Sequence, residues 1–345
     1  MRALLTVEPT FDHLLAMTDA HGTFEHARFA EPRPEHGYCT DDMARVLVVA
    51  SREPAGSARV DRLIELSLRF LSDAMDPHGK CRNRMDRRGR WLDRPAVEDC
   101  WGRSLWGLGT AAARSADTGL RDAATGLFDR AARQRSRWPR AMVFAALGAA
   151  EVLAAQPESA PARALLADAA DTMVGPSEQA GWLWPEPRLT YANAALPDAM
   201  MAAGAALDLP GLSERGLELL GWLLARETAG GHLSVTPDGG RGPGDGSPSF
   251  DQQPIEVAAL ADACARAARR DGGRRWTDGI AHCVGWFQGD NDADAVMWDP
   301  RTGGGYDGLE AHGANQNQGT ESTLALLSTF QHGRVHLAHP QPAPQ

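Results

Sequence analysis

Residues 138–155 read Trp138-Pro-Arg-Ala-Met-Val-Phe-Ala-Ala-Leu-Gly-Ala-Ala-Glu-Val-Leu-Ala-Ala155. From Ala141 to Ala150 the run is apolar all the way round, so a helix here must be buried on every side. On either side lie stretches of different character, 118–135 and 158–174, whose apolar residues recur at helical spacing and share the segment with charges. Those describe helices with one wet face. The same alternation runs along the whole chain. Amphipathic segments at 9–20, 57–76, 118–135, 158–174, 210–227 and 271–289 alternate with apolar ones at 40–52, 98–114, 138–155, 192–207, 252–269 and 319–331. In 57–76, for example, Arg62, Arg69 and Asp73 share a helix with Leu63, Leu66 and Phe70.

Six outer and six inner helices in strict alternation predict an all-α fold, an (α/α)6 toroid of two concentric rings. An open solenoid of helix pairs would use shorter repeats and simpler loops. The outer-to-inner connectors carry Gly79-Lys-Cys-Arg-Asn-Arg, Gly89-Arg-Trp-Leu, Gly181-Trp-Leu-Trp, Gly231-His-Leu-Ser and Gly304-Gly-Tyr-Asp-Gly-Leu. Asp238-Gly239 and Asp307-Gly308 are turn dipeptides, so short β-hairpins are expected in these loops. The opposite connectors, such as Glu53-Pro-Ala-Gly, are short, and the chemically rich loops therefore gather on one face. Residues 1–332 read as a single catalytic domain and 333–345 as a disordered tail.

The 345 residues carry a net charge of −10 and no Lys/Arg run, which excludes a nucleic-acid groove. No stretch approaches the ~20 apolar residues of a membrane span, and the N-terminus does not read as a signal peptide. Five cysteines without a C-x-x-C pair do not make a disulfide framework. A cytoplasmic protein with no cofactor, no metal, no nucleic-acid partner and no membrane partner is expected; oligomeric state is not legible.

Each inner helix of such a ring begins at its mouth, where residues from distant parts of the chain converge. The first start holds His36, Tyr38 and the adjacent acids Asp41 and Asp42; Thr40 as N-cap with acids in the first turn accounts equally for the pair. The second holds Glu98, Asp99, Trp101, Arg103 and Trp106. Two acidic pairs at equivalent places suggest partners for the second carboxylate, with Arg45 and Arg103 one turn further on. The fourth start supplies Trp182, Trp184, Glu186, Tyr191 and Asn193, a mixture of aromatic faces and hydroxyl-reading groups that suits a glycan. The fifth supplies Asp251 near the N-cap, then Gln252, Gln253 and Glu256, the last a carboxylate on an otherwise apolar helix. The last runs through Asp307 to Asn315, Gln316, Asn317, Gln318 and Glu321. Neutral amides beside carboxylates recognise hydroxyls, whereas phosphate would call for Arg or Lys.

The strings His36-Gly-Tyr-Cys-Thr-Asp-Asp-Met-Ala-Arg45, Phe250-Asp-Gln-Gln-Pro-Ile-Glu256 and Asn317-Gln-Gly-Thr-Glu-Ser-Thr-Leu324 resemble those of a bacterial family of (α/α) six-fold toroids, often labelled glycosyltransferase-associated or glycosidase-like. Similarity to the wider toroid superfamily of glycoside hydrolases and sugar epimerases implies a sugar site at the inner-helix mouth. Fold alone does not transfer chemistry.

The leading expectation is an inverting glycoside hydrolase for an oligosaccharide or glycoside. Its acid and base would come from Glu98, Asp42, Glu321 and Asp99, with Glu98 beside Trp101 as the desolvated acid. Substrate contacts would come from His36, Tyr38, Asp41, Trp101, Arg103, Trp184, Tyr191, Asn193, Asp251, Gln252, Gln253, Glu256, Asp307, Asn317 and Gln318. The alternatives are a sugar epimerase or isomerase with His36 or His312 as base, a zinc enzyme using Cys100 and His312, and a non-catalytic glycan-binding toroid.

Overall fold

A computed structural model describes residues 8–173, 177 and 181–337. Its inner helices are α2 (Thr40–Ser51), α4 (Asp99–Arg114), α6 (Pro139–Ala155), α8 (Ala195–Ala206), α10 (Pro254–Asp271) and α12 (Thr320–Leu337). They pack in chain order, and α12 returns against α2, so the ring closes. The outer helices α1 (Asp12–Ala16), α3 (Ala58–Ala74), α5 (Thr118–Ala131), α7 (Ala160–Thr172), α9 (Pro210–Arg226) and α11 (Arg274–Phe287) each lie against an inner one. The expected all-α toroid is the fold observed. Among the described residues, no helix is long and apolar enough to cross a membrane.

The reason α6 reads as apolar all round is visible at its contact with α4. Gly102 packs on the backbone of Ala141, Gly109 on that of Gly148, and Gly148 on the carbonyl of Leu105. Small residues on both sides let the two backbones touch, which no larger side chain permits. A Gly148→Val substitution should lower stability by about 3 kcal/mol, since a Cβ there overlaps the Leu105 carbonyl and neither backbone has room to move. Urea denaturation checks this; a loss below about 1 kcal/mol would show the helices free to separate.

Among the described residues five two-stranded antiparallel pairs sit in the loops, four of them hairpins: β1 (Ala27–Arg28) with β2 (Glu31–Pro32), β5 (Thr228–Ala229) with β6 (His232–Leu233), β7 (Trp298–Asp299) with β8 (Gly304–Gly305), and β9 (Gly308–Glu310) with β10 (Gly313–Asn315); the fifth pairs β3 (Tyr38–Cys39), before α2, with β4 (Arg84–Met85), after α3. Single bridges from Gln252 to Leu309 and from Leu189 to Arg241 stitch neighbouring loops together. Asp238-Gly239 forms the expected turn, closed by a Gly240 N–H to Pro237 carbonyl bond. Asp307-Gly308 does not; Gly308 opens a strand instead.

Several boundaries differ from the sequence reading for local reasons. The first outer helix spans only Asp12–Ala16, because the Asp19 carboxylate captures the N–H groups of His21 and Gly22 and turns the chain. Helix α8 begins at Ala195, after Ala192 adopts φ 45°. The N-cap of α2 is Cys39, whose sulfur accepts from the Asp42 N–H, while the Thr40 hydroxyl donates to the Arg82 carbonyl. At the other end α12 continues to Leu337, so 333–337 is helical and not tail; residues 338–345 lie outside the described residues.

Candidate active site

The N-terminal ends of α2, α10 and α12 border a polar mouth lined by Glu25, Asp41, Asp42, Arg45, Gln253, Asp307 and Glu321, among others. At its centre Arg45 bridges two carboxylates. Its Nη1 donates to Asp42 Oδ1 at 2.6 Å and its Nη2 to Glu321 Oε2 at 2.6 Å. Arg103 sits beside it, 4 % exposed, with its guanidinium 4.0 Å from the Phe144 ring centroid and 3.4 Å from Asp41 Oδ1. Both arginines come from the second turns of neighbouring inner helices, so the ring's own geometry brings them together.

The environment separates these carboxyl groups. Burial pushes Asp42 up to about 7 even against the Arg45 charge, with Glu321 and Glu25 adding to the rise. Burial also works against the charge on Glu321, yet Arg45 and Arg103 outweigh it and hold this carboxyl below its usual range. The Glu321 side chain nevertheless keeps 44 % of its surface open. Asp307 is raised, chiefly by burial and further by Glu321, although its Oδ1 accepts the Gly319 N–H at 2.8 Å. A carboxylate held ionised beside a carboxyl biased toward its acid form is the pattern of an acid–base pair.

On the α4, α6 and α8 side lies a second group. The Tyr191 hydroxyl donates to Asp99 Oδ2, and Arg140, 5.6 Å from the Tyr191 ring, donates to Glu186 at 3.0 Å. Tyr191 is 40 % exposed. Below the mouth, Arg45, Arg103 and Glu321 also border an apolar cavity on the ring axis, where Trp106 and Phe144 lie stacked at 6.0 Å.

Of the expected site residues, the structure gathers Asp41, Asp42, Gln253, Asp307 and Glu321 at the mouth, with Arg103 against Asp41, while Asp99 and Tyr191 pair with each other. Others are placed elsewhere. Glu98 is exposed at the start of α4, without the desolvation expected of it. Trp101 is fully buried and donates to the Ala131 carbonyl. Trp184 is buried against Trp222 and donates to Glu186, and Tyr38 is buried with its hydroxyl on Asp19. Gln252 is buried between Trp286, Asp292 and Ser249. Glu256 is buried and receives the N–H groups of Ala192 and Asn193 and the Asn193 amide, so this pair locks α10 to the start of α8. Gln318 takes the Thr302 hydroxyl, and Asn317 takes the Phe29 N–H. Asp251 lies against Gly308, with Oδ1 buried and unpartnered. His36 is exposed, and His312 is exposed in the β9–β10 turn.

The sequence reading missed His26, Glu25 and Arg84. Glu25 pairs with Arg84, and the His26 ring lies edge-on to His36 at 4.9 Å, 3.8 Å from Glu25. They sit in loops without periodic signal, and nothing in the sequence marks them. Cys100 donates weakly to the Cys81 carbonyl and has no His312 beside it. Among the described residues, the one convergent group of metal-type ligands is Glu25, Cys39 and Asp42, within 4.8 Å of one another. Arg84 and Arg45 already neutralise its carboxylates.

A closed double ring of helices with a polar mouth at the inner-helix starts defines an (α/α)6 toroid, and solved structures of that class match the chain along nearly its whole length. A sugar epimerase from a ruminal bacterium matches with TM-score 0.70 and 13% identity over 95% of this chain and 97% of that one. Cellobiose 2-epimerase from Bacillus thermoamylovorans matches with TM-score 0.69 and 11% identity over 94% and 96%. A cellulase from C. cellulolyticium, solved in complex with cellobiose, matches with TM-score 0.63 and 8% identity over 92% and 88%. No family model and no curated protein sequence matches the chain.

Proposed function

We propose that this chain is a sugar epimerase or isomerase, acting on a reducing sugar held at the toroid mouth. The observation that carries the reading is the half-open carboxylate Glu321 at the mouth, paired with Arg45 and held ionised by Arg45 and by the buried Arg103 nearby. Moving a hydrogen at the carbon next to a sugar carbonyl passes through an enediolate. Two fixed cations at that oxygen stabilise the charge as it develops, and a neighbouring base takes the proton. Glu321, held ionised, supplies the base; His26 at the same mouth supplies a second proton carrier. Asp307, raised toward its acid form, supplies the acid that protonates the ring oxygen as the sugar opens. The matching epimerases act on sugars by their names, which supports the substrate class.

Hydrolysis by paired carboxylates has less support. Glu98 lies exposed and apart, and Asp42 and Glu321 are tied to the two ends of one guanidinium instead of facing each other across a bond to be cleaved. Five buried, unpaired cysteines suit a reducing compartment, so the proposal keeps the cytoplasm as location.

The test is incubation with glucose, mannose, cellobiose and related reducing sugars in D2O, followed by proton NMR. New C2 epimers or ketoses with deuterium at C2, and no new reducing ends, are expected. Release of a monosaccharide from cellobiose without deuterium incorporation would restore the hydrolase reading. Binding with neither reaction would leave a glycan-binding toroid.

A further inference from the structure

Beneath the Arg45–Glu321 pair the ring axis is not filled. A cavity there is walled by Val48, Trp106, Phe144, Leu147, Ile255 and Leu324. Small residues from three inner helices keep it open, Ala195, Ala258 and Ala325. Its depth follows from the helix rise. Glu321 stands at the top and Ser328 at the bottom of α12, and Ile255 and Asp262 hold the same places on α10. Seven residues at 1.5 Å each give about 10 Å. The floor is sealed, because Arg52 donates to Asp262 at 2.7 Å and to Ser328 at 2.9 Å, and His332 lies 2.6 Å from Asp262.

The walls between roof and floor are hydrocarbon and aromatic except for Asp198, whose carboxylate is already paired with Arg266. A sugar ring alone cannot use this space favourably, since each buried hydroxyl would lose its hydrogen bonds. An apolar group attached to the sugar can, because a cavity of this lining welcomes compact hydrocarbon. Arg45 and Glu321 line both compartments, so the cavity adjoins the mouth directly.

We propose that the axial cavity is a subsite for a compact apolar substituent, an aryl or short branched alkyl group, carried by the sugar whose polar part lies at the mouth. The proposal rests on the sugar-isomerising reading above, which fixes where the group is attached: C1 must stay free for ring opening, so the substituent sits on another position. A long chain is excluded by the sealed floor about 10 Å down.

The experiment is titration calorimetry of the intact protein with glucose, 3-O-benzylglucose and 6-O-benzylglucose, alongside the turnover assay. At least one benzyl ether should bind about tenfold or more tightly than glucose, from the apolar area it buries. Ala258→Leu and Ala325→Val, each filling the cavity from a different helix, should abolish that gain and leave glucose binding unchanged. Melting curves confirm that the variants fold. Benzyl ethers that bind no better than glucose, or filling variants that retain the gain, overturn the proposal. The two readings fail separately. A cavity-dependent gain without turnover of any sugar keeps the subsite and removes the isomerase; turnover without such a gain removes the subsite alone.

Discussion

A Glu321→Gln variant should bind sugar with little change and turn it over about 10²- to 10⁴-fold more slowly, the range lost when a positioned proton carrier is removed. Glutamine keeps the shape and the hydrogen bond to Arg45, but it cannot accept a proton. Because the native side chain is 44 % exposed, its replacement should cost little stability. The sharper readout is isotopic. If Glu321 and His26 serve opposite faces of the same carbon, Glu321→Gln loses exchange of the C2 hydrogen in one epimer and keeps it in the other, and His26→Asn gives the mirror result. Turnover within tenfold of wild type in both variants would remove these groups from proton transfer. Loss of sugar binding in Glu321→Gln would make the residue a hydroxyl reader only.

The rings were legible because burial all round and burial on one side leave different patterns, as α6 and α3 show. Closure followed from counting alternations. The first outer helix was not legible, since its pattern continues past Ala16 while the Asp19 side chain turns the backbone. The same division runs through the site. Asp41, Asp42 and Glu321 stand in the first turns of inner helices, where topology alone assigns them to the mouth. Loop residues gave no such lever. A tryptophan or amide that reads sugar and one that closes a loop have the same letters; what distinguishes Trp101, Trp184, Asn193, Gln252 and Gln318 is that each already spends its hydrogen bonds on the protein, mostly on partners distant in sequence. His26 was invisible for the converse reason: it reaches the mouth from a hairpin loop that no helical period marks.

Removing the floor of the axial cavity should have the largest effect on stability. Asp262 is 8 % exposed and is shared by Arg52, His332 and Ser328, three groups on two other segments of the ring. Asp262→Ala strands the Arg52 guanidinium, left with Ser328 and the Trp106 face 5.7 Å away. Breaking one side of a buried pair costs about 3–5 kcal/mol, because the surviving charge stays desolvated. The pH dependence distinguishes this cause from simple loss of packing. Burial alone would raise the Asp262 carboxyl, but Arg52 and His332 hold it far below its ordinary 3.8. A depressed acid adds stability above its unfolded value and loses it as pH falls below about 4. Urea denaturation should therefore show the full gap between wild type and Asp262→Ala at pH 7, narrowing steadily below pH ~4 as the wild type gives up this term. A gap of about 3 kcal/mol that stays constant down to pH 3 would mean that Asp262 matters for its volume and not its charge. A gap under about 1 kcal/mol at pH 7 would mean that the floor is not what holds the inner helices together at that end.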